Sequence, residues 1–525
     1  MTQTTPNSYG FSPADERKLV WKLDFRLIPI LGLLYLISFI DRVNIGQAKV
    51  AGMVTDLGMT SHQFQIANTI FFATYVAFEI IGNLLVKRFR PSRILPVMIT
   101  LWSAILIGQA FVKNAGHLYT TRVLLGVFEA GLFPGAIYII SLYYPRQEQA
   151  LRMGFLFSAC VLAGAFGGVL AYGLSRIRGA GLEGWRYIYL IEGCISIAIG
   201  IASFFLVVDL PETANFLSEK ERGFVMHRIK QGQGALSLDV KFSWSHVWSA
   251  FLDFKLYMFA TLYFMMGALL YALSTFAPFI ISQLGDWTQA ESQLLTVPPF
   301  AAGFITTVAS AYISDRTGKR GPIIIVGSFV SLIGYILVLV IPDHAPGAKY
   351  FSLFVMVAGF SPAAASVLAW GAGSFGPTYK RGITQGVIMS SGNTAGILSS
   401  FLYPDSDKPD FIIGHSTSAA FSFCTLVLAA VLYFILRREN KQRDRKYGTL
   451  DEIYAIINEQ GGSGVEKTYT PEKDVEDVDA RAAVTTRNEF VDLPPVLLET
   501  FGLHGYSRDE IAGLGDKHPM FRYLC

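Results

Sequence analysis

Residues 27–46 read LIPILGLLYLISFIDRVNIG. No charge interrupts the first fourteen positions, Leu27 to Ile40. At about 1.5 Å per residue, some 20 helical residues cover roughly 30 Å, the thickness of a bilayer's hydrocarbon core. Comparable apolar stretches follow at 67–87, 94–113, 118–140, 152–176 and 186–208, then at 255–281, 294–314, 321–342, 349–375, 383–404 and 414–437. These twelve stretches form two sets of six, 27–208 and 255–437, around a polar central segment at 209–254. The layout predicts an all-α membrane protein of twelve transmembrane helices in two six-helix halves, as in secondary transporters built from repeats. Outside the halves lie an N-terminal segment, 1–26, and a tail, 438–525, whose polar stretch Gly461–Arg487 reads as disorder.

Composition agrees. Apolar residues make up 52% of the chain and charged residues 16%, and the mean hydropathy is +0.41. A net charge of +3 gives no reason to expect nucleic acid. The basic residues cluster in alternate loops: Arg17, Lys18, Lys22 and Arg26, then Lys87, Arg88, Arg90 and Arg93, then Arg146 and Arg152. The alternation continues through Lys220–Lys230, Arg316–Arg320, Lys380 and Arg381, and Arg437–Arg443. By the positive-inside rule both termini and the central segment are cytosolic, as an even number of spans requires. The polar first 26 residues lack a cleavage site, so the first span is expected to serve as an uncleaved anchor. Cys160, Cys194 and Cys424 fall in apolar spans without metal or disulfide spacing, and no cofactor or metal is expected. No nucleophile–base constellation suggests an enzyme.

Ionisable side chains inside a bilayer are costly and by default mark transport pathways or proton relays. The candidates are Asp41 and Arg42 in the first span, Glu79 in the second, Arg122 and Glu129 in the fourth and Glu192 in the sixth. Asp41 lies roughly 20 Å above the cytosolic end of its span, and Glu129 about 16 Å below the outer end of its own. Arg122, Gly126 and Glu129, spaced i, i+4, i+7, share one helix face. Arginine can hold a carboxylate through two parallel bonds, and burial favours the protonated form of a carboxyl group. The set therefore suits a small organic anion and a proton. A static ion pair of Asp41 with Arg42 or Arg122 is the alternative reading. For Glu79 and Glu192 helix packing is the plainer role. The stretches Gly164-Ala165-Phe166-Gly167-Gly168 and Gly392-Asn393-Thr394-Ala395-Gly396 suit close helix packing, or a hinge.

Several stretches carry a family resemblance. Ala311-Tyr-Ile-Ser-Asp315-Arg316-Thr-Gly318-Lys319-Arg320 is similar to the loop signature of the major facilitator superfamily. Asp41-Arg42-Val43-Asn44-Ile45-Gly46, Arg122 to Gly135, Gly184-Trp185-Arg186 and Leu210-Pro211-Glu212-Thr213-Ala214 resemble its anion:cation symporter branch, and within it fungal allantoate and nicotinate permeases. The resemblance covers nearly all of residues 17–447. It departs after Trp370, where Gly371-Ala372-Gly373-Ser374 replaces an asparagine-rich stretch. The resemblance implies the major facilitator fold and proton-coupled symport of a small carboxylate by alternating access. In that reading Asp41 and Glu129 load protons, Arg42 responds, Arg122 and Asn393 help bind the anion, and Asp315, Arg316 and Lys319 form a cytosolic gate. For Asn393 an interhelical hydrogen bond is the alternative. A monomer in the plasma membrane is expected. The competing readings are a drug/proton antiporter, weakened by the lack of a glycine-proline pair in the fifth span, and a non-transporting nutrient sensor.

Overall fold

The computed structural model describes residues 12–177, 179, 181–233, 244–342, 344–376 and 378–449. Near the C-terminus it describes 452–453, 456, 495–501, 503, 518–521 and 523. Among the described residues the fold is all-helical. The long helices are α1 Pro13–Val50, α2 Ser61–Phe89, α3 Pro91–Gln109, α4 Ala115–Tyr143, α5 Arg146–Leu174 and α6 Gly184–Leu206, then α7 Phe254–Leu284, α8 Val297–Thr317, α9 Gly321–Val340, α10 Pro346–Gly373, α11 Thr378–Ser399 and α12 Ile412–Tyr447.

Eleven of these are long and apolar enough to cross a membrane. The exception is α11, expected as an apolar stretch at 383–404. It is 22 residues long but carries Thr384, Gln385, Ser390, Ser391, Asn393 and Thr394, because it packs against α2 of the other half and against α7. Its polar side chains face protein, so its average hydropathy understates how it is housed.

Helix ends follow local chemistry. Capping boxes at Ser12/Asp15 and Thr60/Gln63 start α1 and α2, and Asn114 and Asp253 cap α4 and α7 through their side chains. Each cap satisfies amides that the first helical turn leaves without partners. Helix α1 therefore begins well before Leu27, and α12 continues to Tyr447, past the expected end at 437. Helix α4 breaks between Glu129 and Leu132. Pro134 has no amide for the carbonyl of Ala130, four residues back. Gly131 lies against Gly82 of α2, and a Cβ on Gly82 would meet the Gly131 backbone at 2.7 Å.

The halves pack through α1–α7, α2–α11 and α5–α8. Their outer surfaces are apolar, with Ile80, Leu84, Phe205, Val326, Val340 and Phe434 all more than half exposed, as lipid contact requires. We call the side holding the start of α1, the central segment and the end of α12 the terminal face. Its ion pairs, among them Arg152–Asp24, Arg228–Glu16 and Lys380–Asp253, tie a half to itself or to the central segment. On the opposite face the halves bond to each other. Lys49 meets Asp405 at 3.2 Å, Asn68 donates to Ser400 at 2.9 Å, and Gln293 accepts from Ser175 at 3.0 Å. The tail also docks: Tyr523 accepts from Lys255 at 2.6 Å, and its backbone exchanges hydrogen bonds with Asn440.

Candidate functional site

Where α1, α2 and α4 of the first half meet α7 and α11 of the second, the buried charges converge. Arg42 is 4% exposed and donates from Nε and Nη2 to Glu129 Oε1, at 3.1 and 2.6 Å. Ser38, one turn earlier on α1, donates to the same oxygen at 2.6 Å. The third nitrogen, Nη1, donates to Tyr271 of α7 at 3.0 Å. Four rings, Phe39, Phe71, Tyr75 and Tyr271, lie within 5.8 Å of the guanidinium carbon, Tyr75 nearest at 4.6 Å. Such faces attract a cation removed from water.

From Tyr271 the hydrogen bonds run on. Its hydroxyl donates to Asn393 Oδ1 at 2.8 Å, and Asn393 Nδ2 donates to Glu79 Oε1 at 3.2 Å. Ser390, one turn earlier on α11, donates to Glu79 Oε2 at 2.9 Å. Asn393 thus makes the interhelical bonds that were its alternative reading, and makes them at the meeting of the two halves.

The structure divides the rest of the expected set. Successive helix positions are about 100° apart, so Asp41 turns away from Arg42 and into the first half. There it accepts from Trp102 and Ser196, each at 3.1 Å, while Oδ1 has no partner among the described residues. The static pair of Asp41 with Arg42 is therefore not formed; Glu129 takes that place. Arg122 is fully buried with Asp41 on this inner side, not beside Arg42. It meets Tyr189 at 3.5 Å, and its Nε and Nη1 have no partner among the described residues. Asn44 donates to Glu192 in the same region. Arg186 binds Asp56 at 2.7 Å and the carbonyls of Ala110 and Val112, so the Gly184-Trp185-Arg186 stretch fastens a loop.

Of the expected gate, Arg316 stacks over Tyr312 at 4.6 Å and Lys319 is exposed, while the side chain of Asp315 lies outside the described residues. Sequence reading missed Tyr271, Ser38, Tyr75, Trp102 and Ser196. All sit inside apolar stretches where their polar atoms leave little mark on the hydropathy. It also gave Glu79 a packing role, although a carboxylate in an apolar span was itself a signal.

Residues 31–400 match the Major Facilitator Superfamily. The chain belongs to that family. It is 35% identical over 454 residues to the high-affinity nicotinic acid transporter of Saccharomyces cerevisiae, covering 86% of this chain and 83% of that one. It is 34% identical over 459 residues to the MFS-type transporter cnsO of Penicillium expansum, covering 84% and 88%. Among solved structures, the proton:xylose symporter XylE bound to 6-bromo-6-deoxy-D-glucose aligns with a TM-score of 0.60 at 16% identity, over 78% of this chain and 95% of that one. A bacterial homologue of the human lysosomal transporter Spinster aligns at 0.57 and 16%, over 82% and 98%. These likenesses establish the fold. The chain is a multi-pass membrane transporter, not an enzyme, and takes a small-molecule substrate.

Proposed function

We propose that this transporter carries a small organic carboxylate together with a proton, by alternating access. The observation that carries the reading is Arg42: a cation buried between the halves, held by one carboxylate and boxed by four rings. A proton on Glu129 removes the anion from the pair and leaves Arg42, still charged, as a planar donor fork for an incoming carboxylate. Asp41, buried a step away on the same helix, is the second proton carrier. Arg122 stands on the inner side with Asp41, its Nε and Nη1 without partners among the described residues. Asn393 joins the site from the second half. The nicotinic acid transporter among the relatives fits a carboxylate substrate.

In this reading α11 is the twelfth span, both termini are cytosolic and the protein works as a monomer in the plasma membrane. The bonds closing the opposite face then make this an inward-facing arrangement, and Asp315, Arg316 and Lys319 act when the cytosolic side closes.

The test is uptake of a labelled carboxylate panel into yeast lacking its own permeases, with and without a protonophore. The medium is set about two pH units below the cytosol, a gradient worth about 2.7 kcal/mol per proton. Concentration of one carboxylate, abolished by the protonophore, is expected. Absence of uptake for the whole panel, with the protein at the cell surface, refutes the proposal.

A further inference from the structure

Among the described residues the Glu79 carboxyl makes no ion pair. Glu79 is 5% exposed at the seam between the halves, and it accepts from two neutral donors, Ser390 and Asn393. Arginine can only donate, so Arg42 donates to the oxygen of Tyr271. The hydroxyl proton of Tyr271 then points to Asn393 Oδ1, and the Asn393 amide must present its N–H to Glu79. The chemistry of the groups fixes the direction of the whole chain, which runs from a cation to an acceptor. A glutamine at position 79 could meet both partners without the cost of a buried charge, accepting from Asn393 through Oε1 and donating through Nε2 to the Ser390 hydroxyl oxygen. The carboxylate is therefore more than these contacts need.

Resting on the carboxylate reading of Arg42, we infer that Glu79 selects the substrate's other end: the transported carboxylates also carry a hydrogen-bond-donating nitrogen, which Glu79 receives. A bound substrate of this class replaces the protein's own relay. Its carboxylate takes the place of Glu129 and Tyr271 on Arg42, and its N–H takes the place of the Asn393 amide on Glu79. The stacked rings around Arg42 favour a flat group between the two ends. A plain monocarboxylate fills the first position and leaves Glu79 with its neutral partners, so it gains nothing from the buried charge.

The experiment compares three probes on purified full-length protein by ligand-induced thermal stabilisation: benzoate, 4-aminobenzoate, which adds N–H donors, and 4-methoxybenzoate, which adds only an acceptor. Wild-type protein is expected to bind 4-aminobenzoate about tenfold more tightly than the other two, the ratio expected of one hydrogen bond to an ionised acceptor. Glu79→Gln should bring that ratio close to one, and Glu79→Asp should restore part of it. Equal affinity of wild-type protein for all three probes overturns the inference and leaves the carboxylate reading standing. So does a preference that survives in Glu79→Gln. Failure of any carboxylate to stabilise wild-type protein overturns the carboxylate reading itself, and this inference with it. If Glu79 instead only ferries a proton, Glu79→Gln changes the pH dependence of all three probes equally and leaves their ratio alone, which also overturns the inference.

Discussion

Gly46→Ala should open the face opposite the termini. Gly46 lies one turn beyond Arg42 on α1, and a Cβ there would run into the carbonyl of Thr275 on α7. The obstacle is backbone of the other half, so no side-chain rotation relieves it. Two further glycines make the same kind of approach on this face: Gly168 of α5 against Thr296 and the Gln293 carbonyl, and Gly396 of α11 against the ring of Phe72. The clash exists only while the halves are closed on this side; once they part, the methyl group is free. Overpacking of this kind costs about 1–3 kcal/mol, charged to the closed state alone. The balance between closed and open then moves by about 5- to 150-fold.

A cysteine at Ser400, whose hydroxyl meets Asn68 across the seam, reports the opening when a membrane-impermeant maleimide is applied from that side. The natural Cys160, Cys194, Cys424 and Cys525 are replaced first. Labelling should accelerate at least about fivefold in Gly46→Ala. An unchanged rate in a well-folded variant would refute the reasoning, because it would mean that the Gly46–Thr275 approach does not hold this face closed.

Three other substitutions probe the charge network. Glu129→Gln keeps the size of the side chain and loses its charge. Wild-type protein moving one proton per monoanion can concentrate substrate roughly a hundredfold across two pH units; the variant should only equilibrate it, and a retained gradient in steady-state uptake would contradict the relay. Tyr271→Phe leaves Arg42 Nη1 and Asn393 Oδ1 without their shared partner, a loss of about 1–3 kcal/mol for each group left unsatisfied. A clear fall in the melting temperature of the ligand-free protein is expected, read by thermal unfolding; an unchanged melting temperature would contradict it. Burial pushes the Asp405 carboxyl up, but Lys49, Ser61 and Lys408 outweigh it and hold the group below its ordinary 3.8. A lowered value means that its stabilisation of the closed face is present above about pH 3.8 and is lost as the pH falls further. Normalised to the reaction of a free thiol at each pH, labelling at Ser400→Cys should therefore stay flat from neutral pH to about pH 5 and rise only in stronger acid, whereas Asp405→Asn should raise it at every pH.

The sequence made the architecture readable because the constraint is coarse. A bilayer asks each crossing for some twenty apolar residues, and Leu27–Gly46 and its counterparts supply them. The stretch expected at 383–404 answers that demand less well than the other eleven, since α11 faces its own protein partners and need not be apolar. Depth was readable only in part: a rise of about 1.5 Å per residue puts Arg42 in the outer third with Arg122 and Glu129 near the midplane, yet Arg42 and Glu129 are paired. Azimuth was not. Asp41 and Arg42 are neighbours in sequence and point to different interiors, and Arg122 shares a layer with Arg42 without sharing a site. Tyr271 was invisible for another reason: a tyrosine in an apolar run reads as a large hydrophobic residue until a partner for its hydroxyl is found in the other half.

That hydroxyl explains how the site can belong to both halves at once. Arg42, Glu129 and Glu79 stand on the first half; Tyr271, Asn393 and Ser390 stand on the second. The second half is thus gripped at two points, Arg42 to Tyr271 and Glu79 to Asn393 with Ser390. Both grips lie between the closed face and the terminal face, where a rocking of one half against the other displaces groups least. Neutralising Glu129 changes what Arg42 can offer to Tyr271, and so alters the first grip directly. Occupying Glu79 alters the second. A ligand that engages both ends acts on both of these attachments at once. One that engages only Arg42 leaves the second grip intact, and the halves remain tied in the arrangement seen here.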